Sequence, residues 1–267
     1  MKDILVHLDS GPAREGRLNA AVDLAKRFDA RLSGIFAQID AHPGHDRPAS
    51  DAFTGAAHQA KAAFTAAAAK AGVTARWLGL DQGSYEQVVT QTVHRARLSD
   101  LVVLTQHSPN MPEVPEELVE QVVFNSGRPA LIFPWAGEYR TFGNHPAVAW
   151  NAHGSREEAR ALHDALPLLK TAGSVTLMVV SDKSRNGDAE PPTEVADHLA
   201  AHGIKARVEH LYGGDIGVMD LLLSRSFDLG CDLLVMGGHS ATGISFTSGS
   251  GTRFMLRHQT LPLLMAG

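Results

Sequence analysis

Small and hydroxyl-bearing residues that could bind a phosphate group cluster near the C-terminus. The apolar run DLLVMGG ends in two glycines, and a glycine- and serine-rich loop then leads into the helical segment TRFMLRHQ. Such a loop presents backbone amides to an anion, and the partial positive charge at the start of the following helix favours phosphate. The residues that could form this site are Gly237, Gly238, His239, Gly249, Ser250, Gly251 and Thr252. This segment is therefore the strongest candidate for a binding site.

The residue types give less support to catalysis. His239 follows the two glycines and could contact a phosphate or transfer a proton, but a histidine on a surface loop is the simpler interpretation. No carboxylate lies between His239 and Gly251, and no serine occupies a G-x-S-x-G turn. The sequence therefore predicts neither a positioned acid–base pair nor a Ser-His-Asp site.

The chain contains 14 histidines, which raises the question of a metal site. Glu194, His198 and His202 are spaced four apart on one face of a predicted helix, and residues 42–46 contribute two more histidines and an aspartate. Neither group has the H-E-x-x-H spacing of a zinc enzyme. Because a solvated helix face explains the first group more simply, we predict no metal site.

The segments around the candidate site alternate between predicted strands and helices. Five apolar runs, ILVHLD, RLSGIFA, ARWLGL, DLVVLTQ and RPALIFP, are separated by segments with apolar residues at helical spacing. Buried strands that alternate with helices predict a parallel sheet. Helix ends are also marked, since Ser84 with Gln87 predicts a capping box and Gly72 is placed to end an alanine-rich helix.

The same order of segments then starts again. The second set of strands is PAVAWN, SVTLMVV, KARVEHLY, DLLVMGG and TLPLLM. Asp100 of DLVVL and Asp232 of DLLVM are 132 positions apart, and the later parts of the two sets align almost without gaps. The sequence thus predicts a duplicated five-strand α/β domain, with residues 1–138 and 145–267 as the two copies.

The predicted strand order places the candidate site at a crevice. Right-handed crossovers give each copy an open parallel sheet of order 3-2-1-4-5, in which the connection reverses between strands one and four. Ligands bind where these two strands end. The ends are Asn151 and Gly237 in the second copy, and Asp9 and Thr105 in the first. Trp150, beside Asn151, could line the crevice or pack as a core aromatic residue.

Composition excludes several classes of partner. The chain has 267 residues, is 44% apolar and 20% charged, and carries a formal net charge of -5, so it offers no basic field for nucleic acid or an anionic membrane. No run approaches about 18 apolar residues, and MKDILVHLDS is too charged for a signal-peptide core. Cys231 is the single cysteine, which favours a reduced, buried thiol. We therefore expect a cytoplasmic globular protein that binds neither nucleic acid nor membrane.

Taken together, the motifs resemble those of universal stress proteins in a tandem arrangement. The stretches ILVHLDSG, VAWNAHGSREEARALHDALPLL, CDLLVMGGHS and SGSGTRFMLRHQTLPLLM carry the resemblance, which covers nearly the whole chain. It implies two flavodoxin-like domains of the adenine nucleotide alpha hydrolase-like type. Because members of this family pair domains through strand five, it also implies an internal pseudo-dimer of the two copies, with a homodimer of the whole chain as a further hypothesis.

Many universal stress proteins bind ATP through a G-x2-G-x9-G-[ST] motif after strand four. Gly237 matches the first glycine, and Gly249 with Ser250 matches the closing pair, but only 11 residues separate Gly237 from Gly249, one fewer than the motif needs. The family's first-strand Asp, which lies near the adenosine, is Asn151 in the second copy and Asp9 in the first. The first copy has TQHSPNMPEVPEEL instead of a glycine loop, and its glutamates would repel phosphate.

The resemblance therefore implies a binding or regulatory protein of the stress response. Its second copy would bind ATP or a related adenine nucleotide, with Mg, and its first copy would bind none. Two alternatives stay open at this point. One is a slow ATP hydrolase or nucleotidyl-transfer enzyme that uses His239, and the other is a ligand-free scaffold that recruits a partner through its edge strands.

Overall fold

The chain consists of two compact units, Met1–Arg140 and Thr141–Gly267. A computed structural model describes residues 1–41, 48–137, 141–151, 153–182, 193–213, 217–239 and 250–267. Strands and helices alternate in both units, so the α/β class predicted from the sequence is confirmed.

Parallel strands build the N-terminal unit. Its elements are β1 (Asp3–Leu8), α1 (Arg14–Phe28), β2 (Arg31–Phe36), α2 (Asp51–Ala71), β3 (Ala75–Trp77), α3 (Tyr85–Ala96), β4 (Leu101–Thr105), α4 (Leu118–Asn125) and β5 (Ala130–Phe133). β1 pairs with β2 and β4, β2 pairs with β3, and β4 pairs with β5, all in parallel. The order within this unit is thus β3-β2-β1-β4-β5, which places the ends of β1 and β4 side by side.

The C-terminal unit repeats this arrangement. Its elements are β6 (Pro146–Asn151), α5 (Arg156–Leu169), β7 (Val175–Asp182), α6 (Thr193–Ala201), β8 (Ala206–Gly213), α7 (Val218–Asp228), β9 (Leu233–Gly237), α8 (Ser250–His258) and β10 (Leu263–Ala266). β6 pairs with β7 and β9, β7 with β8, and β9 with β10, again all in parallel. The ends of β6 and β9 therefore lie side by side, as those of β1 and β4 do.

In each unit, the aspartate directly before the fourth strand accepts hydrogen bonds from amides at the start of the first strand. One oxygen of Asp100 accepts hydrogen bonds from the amides of Lys2 and Asp3 at 2.5 and 3.1 Å. Asp232 accepts equivalent bonds from the amides of Asn144 and His145, both at 2.9 Å. Each aspartate thus fixes the start of the neighbouring first strand and so helps to set the register at the opposite edge of the sheet, where the strands end.

The central strands form the core of each unit. Residues of β4 and β9 such as Val102, Val103, Leu234 and Val235 have no exposed surface. Strands that are covered by helices on both faces bury consecutive residues instead of alternate ones, which explains the continuous apolar runs in the sequence. None of the helices within the described ranges combines the length and the apolar character that crossing a bilayer requires.

Several element boundaries follow the predicted local chemistry. The capping box of α3 is confirmed, because Ser84 and Gln87 exchange both side-chain to backbone hydrogen bonds. Gly72 ends α2 with a positive φ of 69°, a conformation that costs glycine little. The third strand is shorter than the run ARWLGL predicted, since only Ala75–Trp77 is a strand. Leu80 beyond it still donates its amide to the carbonyl of Phe36 at 3.1 Å.

Candidate functional site

In the N-terminal unit, an internal ion pair occupies the strand ends. The guanidinium of Arg17, on α1, lies 2.7 Å from the Asp9 carboxylate and also donates to the hydroxyl of Thr105. Asp9 directly follows β1, and Thr105 ends β4. Arg17 is 2% exposed and Asp9 is 6% exposed, so both charges are buried. The two polar groups that a ligand would meet at this crevice are therefore already bound to a side chain of the protein.

The loop after β4 packs against the segments that follow β1 and β2. A methyl group added at Gly11 would lie 3.1 Å from the side chain of Met111, so this loop packs directly on the turn after β1. The carbonyl of Glu113 accepts the amide of Ile39 at 2.6 Å, which ties the loop to the segment after β2. The glycine-free loop of the first copy thus covers the strand ends of its own unit.

A buried histidine stands next to the ion pair. His7 places Nε2 2.7 Å from the carbonyl of Ala37, and because a carbonyl only accepts, Nε2 carries the proton. Burial, reinforced by the nearby charge of Arg17, lowers the pKa of His7 to about 4. The 3.7 Å approach of its Nδ1 to Asp9 is therefore not an ion pair at neutral pH. Burial alone would raise the pKa of Asp9, but the Arg17 charge and further hydrogen bonds more than offset this and lower it.

In the C-terminal unit, the equivalent positions carry neither charge. Arg17 is the fourth residue of α1, and its counterpart at the fourth position of α5 is Ala159. The counterpart of Asp9 is Asn151, whose residue is exposed at the end of β6. The buried ion pair of one unit is thus replaced by an alanine and an exposed amide in the other, and the crevice at β6 lacks an internal cation from this position.

The two residues at the end of β6 have different surroundings. The side chain of Asn151 accepts the amide of His153 at 3.0 Å and so shapes the turn that follows the strand. The indole of Trp150 lies against Gly154, where an added methyl group would be 3.0 Å from the ring. Gly154 has a φ of 64°, which a side chain would disfavour. Trp150 is half-buried, so its ring is partly available beside Asn151.

Gly237 allows α5 to approach the end of β9. A methyl group at Gly237 would lie 2.6 Å from the backbone nitrogen of Glu158 and 2.7 Å from the carbonyl carbon of Glu157. Both are backbone atoms, which cannot move without shifting the start of α5. Gly237, the first glycine of the predicted phosphate loop, therefore has a structural role, because it lets the start of α5 pack against β9.

We expect Gly237→Ala to lower the free energy of unfolding by about 1–3 kcal/mol, the usual cost of overpacking a tight contact. Urea unfolding measures this change. Gly16→Ala on α1 is a matched control, since nothing lies within 4 Å of the added methyl group. That change should stabilise the protein by about 0.5–1 kcal/mol, as alanine does in a helix. A stability gain for both variants would contradict the close approach.

The amides after Gly237 are used within the unit. Gly238 donates its amide to the carbonyl of Ala266 at 2.7 Å, and His239 donates its amide to the Thr252 hydroxyl at 2.9 Å. Thr252 is buried within the first turn of α8, which begins at Ser250. The amides at the start of that helix have no partner within the helix and are the part of the predicted loop best placed to meet an anion. Gly249 lies outside the described residues.

Two side chains that the sequence did not assign to the site lie beside His239. Its Nε2 lies 3.2 Å from the Ser155 hydroxyl and 3.6 Å from a carboxylate oxygen of Glu157. Ser155 caps α5 by accepting the amide of Glu158 at 3.1 Å. The structure thus brings a serine and a carboxylate to His239, while the absence of a Ser-His-Asp site stays a prediction. The serine and the glutamate come from the helix that follows β6, far from His239 in sequence.

Glu158 completes the first turn of α5. One of its oxygens accepts the amide of Asn151 at 3.0 Å, while the other is buried. Burial raises the pKa of Glu158. Two glutamates thus stand beside the crevice, which makes it a poor place for an unshielded phosphate.

The histidines of the metal hypothesis form no complete site within the described residues. The rings of His198 and His202 meet edge to face, with centroids 4.8 Å apart. No group of three His, Cys, Asp or Glu side chains in the described part of the chain is arranged to hold a metal ion. Residues 42–46, the second cluster, lie outside the described residues.

Solved structures share this architecture, although no protein-family model and no curated protein sequence matches the chain. A universal stress protein from Archaeoglobus fulgidus aligns over 99% of this chain and 97% of its own, with a TM-score of 0.73 and 18% identity. A Pseudomonas aeruginosa protein assigned provisionally to the same family aligns over 100% and 93%, with a TM-score of 0.63 and 17% identity. At such identities the similarity establishes the fold. The chain therefore has the fold of the universal stress proteins, in two successive units.

Proposed function

We propose that this chain is a nucleotide-binding regulatory protein of the stress response, whose C-terminal unit binds ATP or a related adenine nucleotide. The observation that carries the proposal is the contrast between the two crevices. In the N-terminal unit the strand ends hold a buried Arg17–Asp9 pair, whereas in the C-terminal unit the same positions carry Ala159 and an exposed Asn151. The crevice of the C-terminal unit lies at the switch point of the sheet, where ligands of such folds bind.

The residues of the crevice suit the parts of a nucleotide in different ways. Trp150 offers part of its ring for stacking, and the amide of Asn151 can hydrogen-bond a ribose hydroxyl or a base edge. The start of α8, with Ser250, Gly251 and Thr252, would receive the phosphates. Because Glu157 and Glu158 stand nearby, we expect the phosphates to need Mg as a shield.

Calorimetric titration with ATP and Mg tests the proposal. We expect one binding site per chain, and Asn151→Ala should weaken binding about tenfold, as the loss of one hydrogen bond does. Asn151→Asp keeps an acceptor and should bind more tightly than Asn151→Ala. Asn110→Ala is the matched control, because Asn110 is also exposed but lies in the N-terminal unit. Its affinity should equal that of the unchanged chain.

Two outcomes would contradict the proposal. One is the absence of heat on titration together with the absence of nucleotide released from the denatured protein. The other is two equivalent sites per chain, because the N-terminal crevice would then bind despite its internal ion pair. Chelation of Mg should abolish binding, and unchanged affinity in a chelator would remove the role assigned to the cation.

A further inference from the structure

Ser155, His239 and Glu157 form a cluster that nucleotide binding does not explain. The Ser155 hydroxyl lies 3.2 Å from Nε2 of His239, and the same nitrogen lies 3.6 Å from a Glu157 oxygen. Ser155 and Glu157 belong to the start of α5, and His239 follows β9. A serine beside a histidine is the arrangement from which serine nucleophiles are activated.

The surroundings of Ser155 hold its side chain in place. Its oxygen accepts the amide of Glu158 at 3.1 Å, which holds the side chain at the start of α5. The hydroxyl hydrogen can then be donated to Nε2 when the imidazole carries its own proton on Nδ1, in competition with the Glu158 carboxylate, which also hydrogen-bonds the Ser155 side chain. In that tautomer His239 accepts from Ser155 at a distance suited to a general base.

Glu157 differs in position from the acid of a Ser-His-Asp triad. In such a triad the carboxylate holds the other ring nitrogen and sets the tautomer. Here the carboxylate faces Nε2, the nitrogen that would gain the proton, so it stabilises the imidazolium by charge. Arg156, 3.1 Å from the other oxygen of Glu157, helps to keep that carboxylate ionised.

We propose that Ser155 is a nucleophile and His239 its general base, and that the pair transfers the acyl group of a small uncharged ester to water. Ser155 Oγ would attack the carbonyl carbon, forming an Oγ–C bond, while the bond from that carbon to the leaving alcohol breaks. His239 Nε2 takes the hydroxyl proton and gives it to the leaving oxygen. Water then attacks the acyl group with His239 as base, which releases the acid and restores the Ser155 hydroxyl.

The charges of the crevice favour an uncharged substrate. Glu157 and Glu158 occupy the first turn of α5 beside the reacting pair, and they would repel an anionic ester. The pair is also accessible, since the side chain of His239 is 29% exposed and Ser155 is half-buried. Cys231 is a poor competitor for the same reagents, because burial and the nearby Asp232 raise its pKa to about 11.

Labelling with a fluorophosphonate, followed by peptide mass spectrometry, tests the inference in the absence of nucleotide. We expect one adduct, on Ser155. We also expect hydrolysis of p-nitrophenyl acetate that begins with a burst of p-nitrophenol. Ser155→Asn should abolish both, although asparagine caps a helix as well as serine does. His239→Gln should slow labelling by about 100-fold or more, the usual contribution of a general base.

Ser84→Asn is the matched control, because Ser84 caps α3 by accepting the amide of Gln87 at 3.2 Å in the same way. This variant should be labelled as fast as the unchanged chain. The labelling rate of the unchanged chain should also depend on pH, and His239→Gln should weaken that dependence. A purely structural role for His239 would leave the pH dependence of the labelling rate unchanged.

Three results would overturn the inference. They are an adduct at other residues only, labelling of Ser155 in the His239→Gln variant at the unchanged rate, and labelling no faster than that of the denatured chain. Thermal unfolding of each variant shows whether it is folded. Failure here leaves the nucleotide proposal intact, since the titration with ATP uses other residues and no ester.

Discussion

Arg17→Met should lower the free energy of unfolding by about 3–5 kcal/mol, because it leaves the buried Asp9 carboxylate without its counter-charge. The Arg17 side chain is 1% exposed and that of Asp9 is 9% exposed, so water cannot replace the lost partner. The Thr105 hydroxyl loses its donor in the same step. Urea unfolding at neutral pH measures the change.

Two further variants isolate the cause. Adding Asp9→Asn to Arg17→Met removes the stranded charge while keeping an acceptor for the Gly11 amide, so most of the loss should be recovered. Arg31→Met removes a half-exposed pair with Asp3 in the same unit and should cost less than about 1 kcal/mol. If Arg17→Met and Arg31→Met cost the same, the buried pair is not the source of the stability.

Acidification below neutral pH should destabilise the protein through His7. The ordinary pKa of histidine is 6.5, and in the folded protein that of His7 is about 4. Between these two values the unfolded chain binds the proton and the folded chain does not, so the free energy of unfolding falls as the pH falls. At about 1.4 kcal/mol per unit, the loss approaches about 3 kcal/mol by pH 4.

Urea unfolding at a series of pH values between 7 and 4 measures this slope. Asp9 does not contribute in the same window, since its pKa is lowered from 3.8 and its stabilising effect is lost only below that value. His7→Gln keeps a donor for the Ala37 carbonyl but has no proton to gain, so the slope should flatten. His58→Gln on α2 is the control, because His58 is exposed. An unchanged slope in His7→Gln would contradict the assignment.

The fold could be predicted because its signals are local and repeated. Continuous apolar runs, serine caps and the two equivalent aspartates were visible in one sequence, and they led to the α/β class and the strand arrangement. The predicted end of a strand was wrong where tertiary packing determines that end. The third strand stops at Trp77, where Gly79 lies against the indole: a methyl group there would be 2.6 Å from its nitrogen.

The side-chain contacts in the two crevices were harder to predict from the sequence, because they join residues that come from different strands and helices. Arg17 looks like a solvated residue on a helix, and only the packing of α1 against β4 brings it to Asp9 and Thr105. Ser155 and His239 are 84 positions apart. The predicted strand order does bring their two segments together, so the cap of the helix after strand one was a signal that could have been used.

The association of the two units through their fifth strands stays a prediction, as does a homodimer of the whole chain. Light scattering tests the second: a monomeric mass would end it.

The guanidinium of Arg17 also competes with any soluble ligand for the Asp9 carboxylate, and it cannot diffuse away. Arg17 is eight positions from Asp9 in the chain, so it is present at that carboxylate at an effective concentration of about millimolar or more. A soluble ligand must displace it, which weakens the apparent affinity of any ligand for this crevice. Under the proposed function, the two domains would therefore respond differently to the same cellular nucleotide pool: the N-terminal unit would not bind nucleotide, and the occupancy of the C-terminal unit would change with nucleotide concentration.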